Sequence, residues 1–148
     1  MAEITRKELL LALVGAGANP RLAGADLTAL DMLRLDLSGA NLRGAKMAAS
    51  TLREAILRGA NLSYADLQSA QMVGADLDST NLTGANLNGA NLQSSRISNA
   101  TLNGATLNGA NLQGASMKGA KVDGLKFDES TVWPDGKRGS AGNPNSYV

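Results

Sequence analysis

The sequence predicts an all-β solenoid, and three features of residues 20–134 predict it. Every fifth residue from Leu22 to Val132 is a large apolar side chain, at twenty-three consecutive positions without exception. Two residues before these positions, the chain has Ala in fifteen of the twenty-three pentads. The two residues after them are mostly small or polar, as in Arg43-Gly44 and Asn88-Gly89. This pattern is typical of a chain that buries Leu and Ala and bends between successive pentads.

A period of five residues excludes both regular secondary structures over this segment. On an α-helix, five residues rotate by about 500°, so successive leucines would spiral around the axis instead of forming one stripe. On a straight strand, side chains alternate between two faces, so an odd repeat would place Leu22 and Leu27 on opposite sides. A chain that turns once per pentad remains. If each turn is about a right angle, four pentads close a square coil, and stacked coils pair their backbones at about 4.8 Å.

The pentads of this chain resemble those of the pentapeptide-repeat proteins, as in Ala40-Asn41-Leu42-Arg43-Gly44 and Ala110-Asn111-Leu112-Gln113-Gly114. The resemblance covers about residues 20–134. It implies a right-handed quadrilateral β-helix of about six coils, in which the central Leu and the preceding small residue point inward. We therefore expect core columns that contain Leu42, Leu62, Leu82, Leu102 and Phe127.

Residues 1–19 predict an N-terminal capping helix and a linker. Thr5-Arg6-Lys7-Glu8 has the spacing of a capping box, and Ile4 and Leu9 are placed as a hydrophobic staple. The helix is expected over about residues 6–14, with Gly15 and Gly17 ending it. The residues expected to face the first coil are Leu9, Leu10, Leu13 and Val14.

The same segment has a second interpretation as a secretory signal. Arg6 and Lys7 precede an apolar stretch, and Ala16-Gly17-Ala18 resembles a small-residue cleavage site. The apolar stretch is about half of the roughly 20 residues that a membrane span requires. The family resemblance implies a bacterial cytoplasmic protein, and export is the alternative if residues 1–18 are a signal peptide.

The C-terminal end has two possible arrangements. Trp133-Pro134-Asp135-Gly136 closes the repeat, and residues 135–148 look like a flexible tail. An open solenoid end exposes unpaired backbone and apolar core. Either Phe127 and Trp133 cover this end in a monomer, or two copies meet there as a homodimer through the C-terminal coil.

Composition argues against an enzyme. The 148 residues include no Cys and no His, so thiol nucleophiles, imidazole bases and the usual zinc ligands are missing. Asp66, Asp76 and Asp78 supply carboxylates, but each is predicted on the outside of a convex rod, where no pocket encloses it. We expect no catalytic, cofactor-binding or metal-binding residue and no cofactor. The net charge of +1 and the four aromatic residues also argue against nucleic-acid and membrane binding.

One outward column of the predicted solenoid is less polar than the others. If the twenty-residue coils are unbroken, Leu33, Arg53, Val73 and Trp133 fall on one side of the rod. We take these four residues as the candidate interaction surface, although single exposed apolar residues are common on protein surfaces. In another column Asp76 and Arg96 are neighbours of opposite charge, which is mildly favourable.

These observations favour a non-enzymatic protein–protein interaction module whose partner is unknown. The resemblance supplies an alternative, because some pentapeptide-repeat proteins mimic double-stranded DNA and bind a DNA topoisomerase such as gyrase. That role requires a strongly acidic surface. Residues 20–134 contain ten acidic and ten basic residues, so their charges balance. The C-terminus also lacks the apolar helix with which those family members dimerise.

Overall fold

The computed structural model describes residues 4–17 and 19–148 and shows a coil that advances by one layer every twenty residues. Single-residue parallel bridges join each layer to the next, as between Arg21 and Asn41. A bridge occurs every five residues, so the rod has four faces. Among the described residues, no strand is longer than one bridge. Faces one to four are numbered from their first bridged residues, which are Arg21, Asp26, Asp31 and Asp36.

A regular pentad with Asn or Asp before its central Leu satisfies its five backbone N–H groups in a fixed way. In residues 60–64, one N–H donates to the coil above, two donate to the coil below and one closes the turn, with N···O distances of 2.7 to 3.0 Å. The fifth N–H, that of Ser63, donates to the side-chain Oδ1 of Asn61 at 3.1 Å. An Asn or Asp before the central Leu therefore supplies an acceptor for a backbone donor that has no backbone acceptor of its own.

The corner residue of each pentad, two positions after the central apolar residue, has a positive φ at every repeat from Gly24 to Gly124. The next N–H donates back across the corner, as Ala45 does to the carbonyl of Leu42 at 3.0 Å. This combination defines a type II turn. Twelve of these corners are Gly and nine are other residues, including Ala49. A left-handed backbone costs a non-Gly residue about 1–2 kcal/mol.

The central residues and the small residues before them fill the interior of the rod. The exposed fraction is 0% for Leu42, Leu62 and Leu82 and 1% for Leu102. Phe127, in the last coil, is half-buried. Where Ser or Thr replaces the inward Ala, its hydroxyl donates to the carbonyl three residues earlier, at 2.7 Å for both Ser50 and Thr80. These buried hydroxyls therefore do not break the apolar core.

Helix α1, Arg6–Ala16, packs on the first coil. A capping box begins it: Thr5 Oγ1 accepts the Glu8 N–H at 3.2 Å, and the Glu8 carboxylate accepts the Thr5 N–H at 2.6 Å. Hydrogen bonding of the carboxylate to the Thr5 backbone N–H, and next to the Thr5 side chain, lowers the pKa of Glu8. The helix continues through Gly15 and ends at Ala16, two residues later than expected, with Gly17 as its C-cap. Of the predicted segment 1–19, residues 1–3 and Ala18 lie outside the described residues.

Half of the predicted apolar face of α1 contacts the coil. Leu9 is fully buried and Leu13 is half-buried, whereas Leu10 is 40% and Val14 is 86% exposed. Leu9 and Leu13 are four residues apart and share one stripe of the helix. Leu10 and Val14 are each rotated from that stripe by about 100°. The expectation that all four residues face the coil was therefore wrong for Leu10 and Val14.

Arg6 completes the backbone pairing of the first coil on face three. In the second coil, the carbonyl of Thr51 accepts the N–H of Met32 from the coil above at 2.8 Å. The first coil has no coil above it. There Arg6 Nη1 donates to the carbonyl of Asp31 at 2.7 Å, and Arg6 Nη2 donates to that of Leu33 at 3.0 Å. One guanidinium thus replaces two backbone donors.

The repeat shifts by one residue after Phe127. Asn111 is bridged to Val132 instead of to the residue twenty positions later. Thr131 and Trp133 are both 0% exposed and take the two inward positions. The prediction had placed Val132 in the core column and Trp133 on the surface. It was wrong because the pentad that follows Phe127 contains one extra residue.

Asp128 stabilises the extra residue. Its Oδ1 accepts the Ser130 hydroxyl at 2.6 Å and the backbone N–H groups of Gly109 and Ser130 at 3.0 Å each. These bonds, led by the one from the Ser130 hydroxyl, lower the pKa of Asp128. In regular coils the equivalent of the Gly109 N–H donates to a backbone carbonyl below it. At this corner a carboxylate takes that place.

Residues 135–148 fold against the end of the rod and do not form the flexible tail that we expected. They include two short 3-10 helices, Gly139–Ala141 and Pro144–Ser146. The Trp133 ring contacts Phe127 edge to face at 5.0 Å and stacks on Tyr147 at 5.7 Å, measured between ring centroids. Both core aromatics therefore have partners within one chain. The monomer and the homodimer both stay predictions.

We expect corner glycines to contribute more to stability than their exposure suggests. Gly44 has a φ of 64° and open space around its Cα, so Gly44→Ala adds backbone strain without a clash. We expect it to lower the free energy of unfolding by about 1 kcal/mol, measured by urea denaturation. Ala49→Gly is the matched control at the next corner and should not lower it. Equal losses in both variants would contradict this account of the corners.

Arg6 is expected to stabilise the first coil. Arg6→Ala leaves the carbonyls of Asp31 and Leu33 without their donor, and we expect a loss of about 1 kcal/mol in the free energy of unfolding. Lys7→Ala removes the neighbouring exposed cation of the same helix and should change the value by less than about 0.5 kcal/mol. Thermal and urea denaturation of the three proteins measure the difference. An Arg6→Ala variant as stable as Lys7→Ala would refute the pairing role.

Candidate interaction surface

Leu33, Arg53 and Val73 lie at the same position of face three in consecutive coils. The corner N–H groups connect these coils: Arg34 N donates to Arg53 O, and Glu54 N donates to Val73 O, both at 3.0 Å. Arg53 is exposed, whereas Leu33 and Val73 are half-buried. The structure therefore brings together three of the four predicted surface residues.

Trp133 does not belong to this surface. Gly114 N donates to the carbonyl of Pro134 at 2.9 Å, so Pro134 occupies the next place in the column. Trp133 is fully buried, and its Nε1 donates to the carbonyl of Gly139 at 2.8 Å. The predicted column assumed unbroken twenty-residue coils. The shift after Phe127 moves Trp133 from the outside of the rod to its core.

Ile56 extends the surface onto face four, and the sequence analysis missed it. Ile56 is a bridged residue of that face, between Asp36 and Asp76, and it is 37% exposed. The signal was present in Ala55-Ile56-Leu57, where Ile stands in place of the usual Asn or Asp. One corner separates Ile56 from Arg53. We call the following residues the Arg53 surface: Leu33, Arg34, Arg53, Glu54, Ile56 and Val73.

An ion pair between two coils crosses the centre of the Arg53 surface. Arg34 Nε donates to Glu54 Oε2 at 2.6 Å. This hydrogen bond lowers the pKa of Glu54 and raises the pKa of Arg34. Both side chains are exposed to solvent, which screens their charges, so the pair contributes little to stability. Within residues 4–17 and 19–148, Arg53 forms no ion pair, and its guanidinium is available to a partner.

A second charge network lies on face four beside Ile56. Asp76 Oδ2 is 3.5 Å from Arg96 Nη1 and 3.8 Å from Arg58 Nη1. Arg96 Nη2 donates to Asp78 Oδ2 at 2.7 Å. The predicted neighbours Asp76 and Arg96 are bridged partners in adjacent coils. Because its cations and carboxylates pair with one another, this network offers a partner less free charge than Arg53 does.

Two cavities lie between α1 and the first coil. One, of about 430 Å³, is lined by Leu13, Pro20 and Leu22, with Arg21 as its charged side chain. A second, of about 390 Å³, is lined by Leu13 and Pro20 with Asp36 and Ser38. The charged side chain of the first cavity is Arg21, and that of the second is Asp36, whose Oδ1 accepts the Ser38 hydroxyl at 2.6 Å.

Two further features of the described part of the chain bear on its chemistry. No group of three or more His, Cys, Asp or Glu side chains is arranged to hold a metal ion there. No helix in that part is both long enough and apolar enough to span a membrane.

The repeat itself identifies the family. A family model described as pentapeptide repeats, in eight copies, matches residues 21–59, 60–99 and 95–131. The chain belongs to the pentapeptide-repeat family. Members of this family fold as right-handed quadrilateral β-helices, so the four faces seen here are those of such a helix. No curated protein matches the chain.

Solved pentapeptide-repeat structures resemble this chain over most of its length. HetL from the cyanobacterium Nostoc sp. strain PCC 7120, described as involved in heterocyst differentiation regulation, is 32% identical over 80% of this chain, with a TM-score of 0.35. AT2G44920 from the Arabidopsis thaliana thylakoid lumen is 27% identical over 78% of this chain and 68% of its own, with a TM-score of 0.50. Rfr23 from the cyanobacterium Cyanothece 51142 is 30% identical over 84% of this chain and 99% of its own, with a TM-score of 0.36.

This pentapeptide-repeat chain spans 61% of the length of the HetL chain that it matches. Pentapeptide-repeat proteins are generally structural or interaction modules without enzymatic activity. Membership of the family therefore shows that this chain is a repeat-protein module. The surface of this chain, and not its family, indicates which kind of partner the module binds.

The pKa of Glu54 should depend on Arg34. Removing the guanidinium in Arg34→Gln should raise the pKa of Glu54 toward its ordinary value of 4.5, measured by NMR titration of the side-chain carboxyl carbon. Because the folded-state pKa of Glu54 is lowered, its contribution to stability is present above the ordinary value and is lost as pH falls through the lowered value. Arg96→Gln removes a distant ion pair and should leave Glu54 unchanged. An unaltered pKa in Arg34→Gln would show that the pair is absent in solution.

Proposed function

We propose that this chain is a non-enzymatic scaffold that binds a protein partner through the Arg53 surface. The observation that carries the proposal is an exposed guanidinium without an ion pair in the described chain, set between two half-buried aliphatic side chains of adjacent coils. Arg is enriched at interface hot spots, where apolar contacts around it exclude water. A partner that fits this surface presents a carboxylate beside an apolar side chain.

The backbone beneath the surface favours binding because it is already fixed. The coils that hold Arg34, Arg53 and Glu54 are joined by N–H···O bonds of about 3.0 Å on each side. A surface that does not need to order its backbone loses less conformational entropy on association. The flat faces of the rod also favour a macromolecular partner over a small molecule, which binds in concave pockets.

The remaining properties that we propose follow the family and the N-terminal contacts. Burial of Leu9 and the bonds from Arg6 to face three support a capping role for α1. A capped first coil is less prone to end-to-end association. We propose a bacterial, cytoplasmic protein.

Charge reversal at Arg53 tests the proposal. Arg53→Glu should weaken the complex with the partner obtained by affinity purification from the native host by roughly tenfold, because a favourable charge pair becomes a repulsive one. Its melting temperature should stay within about 2 °C of the wild type, since Arg53 is exposed and unpaired in the described chain. Binding is measured by titration calorimetry and unfolding by circular dichroism.

Lys121→Glu is the matched control, because it makes the same charge reversal at an exposed lysine on face one. It should leave the affinity unchanged. Equal effects of Arg53→Glu and Lys121→Glu would show that only net charge matters, and no effect of Arg53→Glu would remove the Arg53 surface as the binding site.

A further inference from the structure

A single aromatic residue interrupts a column of glycines on the corner between faces one and two. Five of the six residues in this column are Gly, and the third is Tyr64. Tyr64 has a φ of 58° and is 61% exposed. The complete column is Gly24, Gly44, Tyr64, Gly84, Gly104 and Gly124.

The Tyr64 ring has a defined position on the surface. It extends toward the next coil and lies against Gly84, where a Cβ atom would be 2.6 Å from Tyr64 Cε1. The guanidinium carbon of Arg43, in the same column as Ser63, lies 5.8 Å from the ring centroid, within cation–π range. The absence of a side chain at Gly84 therefore provides the space that the ring occupies, and Arg43 flanks it.

Folding alone does not account for Tyr64. A bulky side chain in the left-handed region is sterically unfavourable, and the five equivalent corners avoid that cost with Gly. The ring also stays mostly exposed, so burial of apolar area does not offset the strain. Of the nine corners of the rod that hold a non-Gly residue, the one at Tyr64 carries the aromatic side chain.

The charges of face one indicate what binds there. The outward residues of this face in its first five coils include Arg21 and Arg43 and no acidic residue. Neither arginine forms an ion pair within residues 4–17 and 19–148. The other outward side chains are Ala23, Asn41, Asn61, Ser63, Asn81, Thr83, Thr101 and Asn103.

We propose that Tyr64 and Arg43 form a second binding surface, which takes an extended acidic segment of a protein. A carboxylate of the segment pairs with Arg43, and an apolar or aromatic side chain next to it packs on Tyr64. Tyr and Arg are the residue types that interfaces use most often in this way. A single aromatic ring and two cations are too few to stack successive bases and neutralise a phosphate backbone, so a nucleic acid fits less well.

This surface is separate from the Arg53 surface. Tyr64 stands at the corner between faces one and two, and Arg53 precedes the corner between faces three and four, on the opposite side of the rod. The inference does not depend on the proposed function. Its test measures binding at different residues, so either proposal can fail while the other stands.

The test uses the capped peptide Gly-Glu-Glu-Trp-Glu-Glu-Gly as the probe and NMR titration of the 15N-labelled full chain as the measurement. We expect the amide signals of Arg43, Tyr64 and Gly84 to shift on addition of this peptide. The peptide Gly-Lys-Lys-Trp-Lys-Lys-Gly, with the opposite charge, should leave these signals unchanged. A twelve-nucleotide oligothymidylate should bind more weakly than the glutamate peptide at equal ionic strength.

Tyr64→Gly is the decisive variant because binding and folding should respond in opposite directions. It restores the glycine of the column, so the protein should be at least as stable as the wild type, while affinity for the glutamate peptide falls by about fivefold or more. Ser79→Gly is the matched control. It also replaces a left-handed residue by Gly and should leave affinity unchanged.

Gly84→Ala moves the ring without removing it. The added Cβ atom would meet Tyr64, so affinity should fall, whereas Gly104→Ala adds the same strain where nothing lies within 4 Å and should keep it. The proposal is overturned if Tyr64→Gly binds the glutamate peptide like the wild type, if the oligothymidylate binds as tightly as that peptide, or if the shifted signals cluster at the Arg53 surface.

Discussion

Hydrogen bonding between coils is the constraint on which the rest of this structure depends. Each pentad sends backbone donors both upward and downward, and the interval between bridged residues is twenty throughout the regular part of the rod. The interior then has room for one large and one small side chain per pentad. A different number of residues in any coil breaks the backbone pairing on all later faces, unless a local contact compensates for the change. Asp128 does so where the single extra residue occurs, because its carboxylate accepts the Gly109 N–H that would otherwise bond to a backbone carbonyl.

The two ends of the rod replace the missing pairing in different ways, by a side chain at the first coil and by a backbone carbonyl at the last. At the first coil, the guanidinium of Arg6 bonds the carbonyls of Asp31 and Leu33 in place of a missing coil. At the last coil, Lys137 accepts the Trp133 N–H through its carbonyl, and the segment that follows covers the Trp133 ring. At both ends, backbone groups that lack a neighbouring coil are hydrogen-bonded, and apolar side chains cover the core.

The sequence was sufficient to predict the core and insufficient at positions where a single residue departs from the repeat. The burial of Leu42 and Leu62 follows from periodicity alone, because a buried residue at every fifth position fits neither an α-helix nor a straight strand. The extra residue before Thr131 cannot be seen in the apolar pattern, since Val132 keeps the five-residue spacing although Trp133 enters the core. Ile56 was visible as a departure from Asn or Asp, but its exposure depends on which neighbours stand in the coils above and below.

The side-chain acceptor at the bridged position affects which residues of this fold can be substituted. Where Asn or Asp stands there, its oxygen is occupied by the N–H of the second residue along, as in Asn61 and Ser63. The residue at the position of Ser63 has a similar role in some coils, since Asn88 Oδ1 accepts the Asn108 N–H and Asn103 Oδ1 accepts the Asp123 N–H, each at 3.0 Å. Arg43, Arg53 and Val73 all occupy that position. Where the side chain accepts no such bond, the residue can be exchanged without disturbing the scaffold, and a new binding specificity can arise from substitutions confined to these sites.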